Sequence, residues 1–252
     1  MQANGAAFAR VYNEKWTDFA HRVAPLLRAF YESTPLGEGE KSLLDVCCGT
    51  GQLAQHFLEQ GYRVTGIDLS PAMLGYAQQN NARYVDAGQA RFIEADAADF
   101  TLDEQFGLVV STFDALNHLP GKEALCGCLA SVYPLLLPDG FFIFDLNTRA
   151  GLDQWNGVNV REAPDHLIID RGIYDVESDR AWVKITGFIR TEGGLYERFE
   201  QTAYNTAYDL AWVRDALFQA GWHSVYFARV DDLGMPVPDP ETLRRAFVIA
   251  HK

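Results

Sequence analysis

The chain has 252 residues, of which 48% are hydrophobic and 22% charged, with a formal net charge of −13. This is the composition of a folded globular protein, and a domain of this length buries roughly 75% of its unfolded surface. The negative charge, with no basic stripe, excludes a partner held through its phosphates such as nucleic acid, and no run approaches the roughly 18 apolar residues of a membrane helix.

From Phe8 to Phe30 apolar residues recur three or four apart, which predicts helix, with Pro25 starting a second one. Arg10, Glu14, Lys15 and Asp18 stand where a signal peptide needs an apolar run, so a cytoplasmic protein is expected. After the polar stretch PLGEGEKS, the apolar run SLLDVCC has the length of a first strand. A helix over 52–60 then ends at Gly61, a residue suited to the left-handed position that closes a helix, and the strand YRVTGID follows. Ser70 and Pro71 open the next helix as cap and first helical residue. The strands RFIEAD and FGLVVS, a helix over 122–137, a PDG turn and the strand FFIFDL complete the run.

Such alternation predicts an α/β fold with a doubly wound, mostly parallel, seven-stranded sheet. Between 151 and 205 the pattern changes to three extended segments, HLIIDRGIYDV, AWVKITGFIR and LYERFEQTAYN, which read as an inserted antiparallel meander. The parallel pattern returns with LAWVRDALFQAG, HSVYFARV and RAFVIAHK. The expected organisation is a helical lid over 1–35, an α/β domain over 36–150 and 206–252, and a β-subdomain over 151–205. Cys47 and Cys48 are adjacent, and Cys126 and Cys128 are separated by one residue. Neither is the spacing of paired zinc ligands, and no metal site is expected.

The strongest motif is LLDVCCGTGQLA, a strand running through Asp45 into Gly49, Thr50 and Gly51 and on into a helix. Glycines there let a ligand approach the backbone, and the helix start offers free N–H groups. Gly49, Gly51 and Ala54, with Asp68 nineteen residues beyond Gly49, also match a loose dinucleotide motif, so a nicotinamide-dependent oxidoreductase is an alternative. Asp45 separates the two readings. A buried carboxylate needs a cationic or N–H partner: beside a pyrophosphate it is repulsive, beside an ammonium favourable, and bracing its own loop is the structural alternative.

At this point the sequence resembles the class I S-adenosylmethionine-dependent methyltransferases, whose signature is an acidic residue and a Gly-rich loop after the first strand. The resemblance implies that Asp45, Cys47, Gly49, Thr50 and Gly51 cradle the methionyl part of the donor, and that Asp68 accepts both ribose hydroxyls. It implies contacts of Asp96 and Ala97 with the adenine, cover from Leu69 and Met73, and Ser111 and Thr112 beside the sulfonium. Tyr12 and Trp16 are candidates to close the lid over the donor. Two departures are Cys47 in place of the first glycine and Gly107 where the family often has an acid. The meander resembles the β-subdomain of methyltransferases that act on amino groups of small molecules.

That resemblance implies a small-molecule acceptor, with N-methylation favoured over O-methylation; an amine needs only to arrive deprotonated, whereas a hydroxyl wants a positioned base. His118 and Asp114 are the catalytic candidates, beyond the fourth strand where open α/β sheets bind ligands. Asn117, Asn147, Trp155 and Tyr204 are candidates to border the acceptor. A cofactor-binding module without catalysis is the remaining alternative, and a monomer or homodimer is expected.

Overall fold

The computed structural model describes residues 5–252. Helices α1 (Ala6–Lys15) and α2 (Asp18–Glu32) precede β1 (Ser42–Val46), α3 (Gln52–Glu59), β2 (Arg63–Asp68), α4 (Pro71–Asn80), α5 (Ala82–Asp86) and β3 (Ala90–Glu94). Next come β4 (Phe106–Ser111), α6 (Lys122–Val132), β5 (Leu136–Asn147) and α7 (Arg149–Leu152). The meander is β6 (Gly157–Ala163), β7 (His166–Asp175), β8 (Arg180–Arg190) and β9 (Tyr196–Thr206), and α8 (Leu210–Ala220), β10 (Ser224–Arg229), β11 (Asp232–Pro236) and β12 (Arg245–His251) end the chain.

The main sheet has the order β11-β10-β12-β5-β4-β1-β2-β3, so the strand order reverses between β1 and β4 and opens a crevice beyond their carboxyl ends. Alternation along β1 divides the core. Leu44 and Val46 face α6 and α8, while Leu43 faces α2, α3 and α4. The meander forms a separate sheet, β6-β7-β8-β9, whose Ile168, Ile185, Ile189 and Phe199 pack against Phe8 and Val11 of α1.

Ser70 caps α4 by accepting the Met73 N–H, and Gly61 takes φ +83° after α3, as the sequence predicts. Five expectations are corrected. Pro25 lies inside α2, because Val23, Ala24, Leu27 and Tyr31 bury the helix around it and packing outweighs the proline's cost; the break falls at Trp16 and Thr17 instead. The helix after Gly121 stops at Val132, where a short 3-10 turn carries Pro134. β12 is not parallel: it runs antiparallel to both β5 and β10, entering the gap between them from the opposite end. The sheet has eight strands rather than seven, since the mostly exposed segment Asp232–Pro236 folds back onto β10. The meander has four strands rather than three, as the exposed Gly157–Ala163 pairs with β7.

Candidate active site

A cavity of about 790 Å³ lies beyond the carboxyl ends of the central strands, roofed by α1 and walled on its far side by the meander. Cys47, Gly49, Asp68, Leu69, Met73, Ala97 and Thr112 line one half, under Tyr12, Trp16 and Phe8. The turn after β1 winds through three left-handed residues, Cys47 (φ +61°), Gly49 (φ +55°) and Gly51 (φ +79°). Cys47 adopts there a conformation that glycine takes without strain. A side chain at Gly51 would meet Asn81 and Ala77 at 2.8–3.1 Å, which accounts for glycine at the start of α3.

Asp45 is buried, and its Oδ2 has no hydrogen-bond partner. Burial, reinforced by the nearby Asp68 carboxylate, pushes its pKa up to about 8. It opens onto a side pocket that shares Tyr12, Trp16, Cys47, Thr112 and Phe113 with the main cavity. Asp68 accepts the Gly49 and Ser70 N–H groups, each at 2.9 Å, and burial raises its pKa while those bonds oppose the rise. Tyr12 lies against the glycine turn, so that a Cβ at Gly49 would come within 3.4 Å of its ring. Burial and then the surrounding carboxylates, led by Asp114, hold its phenol protonated.

Other residues named from the sequence stand behind the wall. Thr50 is buried and donates to Gln52 Oε1 at 2.6 Å, and Gly51 packs under α4. Asp96 Oδ1 accepts the Ala98 N–H at 2.9 Å and so orders the turn that presents Ala97. Ser111 is wholly buried, its hydroxyl without a partner.

The opposite half is built on the segment after β4. Phe113 and Asp114 both have positive φ, +67° and +49°. Their N–H groups donate to the buried Asp145 of β5, at 2.6 and 2.9 Å. Arg245 of β12 pairs with Asp145 and, at 2.7 Å, with Asp114, its guanidinium lying against the Phe19 and Phe113 rings. Burial raises the Asp145 pKa and Arg245 counters it. His118, in the 3-10 turn Ala115–His118, lies with Nδ1 2.7 Å from the Tyr204 carbonyl. A carbonyl only accepts, so Nδ1 is the donor in that contact, and Nε2 lies 4.0 Å from Asp114 Oδ2.

Asn147, Trp155 and Tyr204 lie on the wall. Strand alternation places the Tyr204 ring with Trp182 and Ile173 on the outer face, so its carbonyl is the group that serves the site. Asn117 is off the wall. Its amide is spent on the Asn147 N–H, the Asn147 carbonyl and the Thr206 carbonyl. Asp145 and Arg245 were missed in the sequence, although a lone Asp inside FFIFDL and an Arg opening RAFVIAHK carry the same signal that drew attention to Asp45.

The methyltransferase-domain family model matches residues 43–140, which hold the glycine turn and β1 through β4. An S-adenosylmethionine-dependent methyltransferase from Clostridium acetobutylicum superposes with a TM-score of 0.79, at 20% identity, over 97% of both chains. Residues 43–140 are a methyltransferase domain, on the fold of the S-adenosylmethionine-dependent methyltransferases. The dinucleotide reading of the glycine turn is thereby set aside.

Among curated relatives, the putative methyltransferase YqeM of Bacillus subtilis is 31% identical over 173 residues, 64% of each chain. A dTDP-3-amino-3,6-dideoxy-alpha-D-glucopyranose N,N-dimethyltransferase of Streptomyces fradiae is 30% identical over 54% of this chain and 49% of its own. Matches to these two thus span less than two thirds of the relatives' length. The amino pentose methyltransferase CalS10 of Micromonospora echinaspora shares the fold, with a TM-score of 0.68 at 20% identity, over 100% of this chain and 99% of its own.

The residues fit the family's donor. The unpartnered Asp45 oxygen is the complement of an ammonium, Gly49 puts no side chain between the turn and a ligand, and Asp68 keeps lone pairs for a vicinal diol.

Proposed function

We propose that this methyltransferase methylates the amino group of a small molecule, in the cytoplasm and as a monomer or homodimer. The observation that carries the reading is the Asp114 carboxylate beside His118 on the cavity wall, a group that would attract an ammonium next to an imidazole whose Nδ1 is held by the Tyr204 carbonyl. S-adenosylmethionine, when bound, supplies an electrophilic methyl group. Asp45, Asp68 and the glycine turn would hold it, and Tyr12 and Trp16 would exclude water above it. An amine with a pKa near 10 arrives protonated at pH 7. Asp114 attracts that cation, and His118 Nε2 takes its proton and leaves a nucleophilic lone pair. Alignment between the two halves of the cavity supplies the larger part of the rate.

Similarity to the amino-sugar N,N-dimethyltransferases of Streptomyces fradiae and Streptomyces venezuelae supports this class of acceptor. The four free cysteines fit a reducing compartment, and no helix among the described residues is long and apolar enough to cross a membrane.

The test is S-adenosylhomocysteine formation against a panel of amines, alcohols and phenols. Turnover of amines is expected, and turnover confined to phenols would replace this reading with O-methylation. Donor binding without turnover on any acceptor would leave a binding module. His118→Gln is expected to lower kcat about 10²-fold, the lower end of general-base contributions. Its affinity for S-adenosylhomocysteine, read by calorimetry, should be unchanged. Equal kcat across the pH range would remove His118 from the mechanism.

A further inference from the structure

The far wall of the cavity is the inner face of the meander, where Asn159, Asp170, Ile185 and Gln201 stand side by side across the four strands. Arg161 is the next inward residue of β6, and its Nη2 meets Asp170 Oδ2 at 2.8 Å. The pair is incompletely satisfied. Asp170 Oδ1 and Arg161 Nε are both shut away from solvent without a hydrogen-bond partner. Burial raises the Asp170 pKa and Arg161 opposes it, so the pair depends on staying together.

An unmet acceptor and an unmet donor within one ion pair at a cavity wall are the complement of a group that has one of each. A hydroxyl accepts from Arg161 and donates to Asp170. A phosphate would be repelled by Asp170, an ammonium by Arg161, and an alkyl group would leave both atoms unpaired. The neighbouring amides of Asn159 and Gln201 offer further donors and acceptors of the same neutral kind.

We propose that Arg161 and Asp170 form an acceptor subsite that selects an uncharged hydroxyl group, making the substrate a hydroxylated amine. The subsite also touches the lid. The Arg161 guanidinium lies 5.1 Å from the Trp16 ring, and α1 is pinned to the meander by Lys15–Asp165 at 2.6 Å and Arg10–Glu197 at 2.9 Å.

The substrate class rests on the amine reading above, so the experiment has two arms. The first compares kcat/KM for glucosamine and cyclohexylamine, rings of similar size with and without hydroxyls. The parent is expected to prefer glucosamine at least 10²-fold, because a site built to bond a hydroxyl rejects the analogue lacking it. Asp170→Ala should collapse that preference below fivefold with S-adenosylhomocysteine affinity unchanged. A preference that survives in Asp170→Ala overturns the proposal. The second arm uses methyl glucoside, which has no amine, and reads saturation-transfer NMR on protein loaded with S-adenosylhomocysteine. A signal that disappears in Asp170→Ala supports the subsite even if neither amine is methylated, in which case only the amine reading fails. No signal with the parent, or one unchanged in the variant, overturns the subsite.

Discussion

Replacing Arg245 with Met is expected to destabilise the protein by about 3–5 kcal/mol, the cost of leaving a buried carboxylate without its cation. Asp145 has no exposed side-chain surface, and Arg245 is the only cation paired with it among the described residues. The loss propagates into the site. Asp145 also holds the Phe113 and Asp114 N–H groups, and those two residues are kept at positive φ against their intrinsic preference. Chemical denaturation should show the fall, and for a chain of this length a melting point about 10 °C lower. Arg245→Lys should recover only part of it, since an ammonium lacks the planar fork that bonds Asp114 and Asp145 together. A loss below about 1 kcal/mol in Arg245→Met would mean that Asp145 finds other compensation and that the clamp is not what shapes the turn.

Asp68→Ala is expected to weaken S-adenosylhomocysteine binding between ten- and a hundredfold, about 1.4–2.7 kcal/mol. Two losses add. The ribose diol loses its acceptor, and the Gly49 and Ser70 N–H groups lose the carboxylate that orients the turn and the start of α4. Asp68→Asn keeps one carbonyl oxygen and should fall between parent and Ala. Unchanged calorimetric affinity in Asp68→Ala would refute the ribose assignment.

The α/β alternation was legible because the inner strands of the main sheet carry apolar runs closed by turn residues, and SLLDV is buried along its whole length. The glycine turn was legible for a related reason: only a ligand or a tight turn demands that residue pattern. β6 and β11 were not legible, since their side chains are largely exposed and neither alternates buried with exposed positions. The direction of β12 is a property of its neighbours, and nothing within RAFVIAHK encodes it.

Within the site, motif position named residues of the right segments but not the way each side chain points. Thr112 reaches the cavity while its neighbour Ser111 faces the core, because strand alternation turns successive residues to opposite faces. The same alternation sends the Tyr204 ring outward and leaves its carbonyl for His118. Arg245 lies 131 positions from Asp114, and a pairing over that separation leaves no local signal.

The account depends most on Asp45 being a buried carboxylate that gains a cation when the donor binds. Its folded pKa, raised to about 8 from 3.8, means that the donor-free protein holds the proton at pH 7. That carboxyl's contribution to stability is complete below pH 4 and is lost as pH rises through 8. An ammonium beside it favours the ionised form, so binding should expel the proton. Calorimetry of S-adenosylhomocysteine in buffers of different ionisation enthalpy tests this directly, with NADH as the control ligand. The expected result is release of up to one proton near pH 7, an affinity that rises with pH and levels off above about 8, loss of the proton release in Asp45→Asn, and no binding of NADH. Proton-neutral binding with an affinity independent of pH, or NADH binding in place of S-adenosylhomocysteine, would contradict the account.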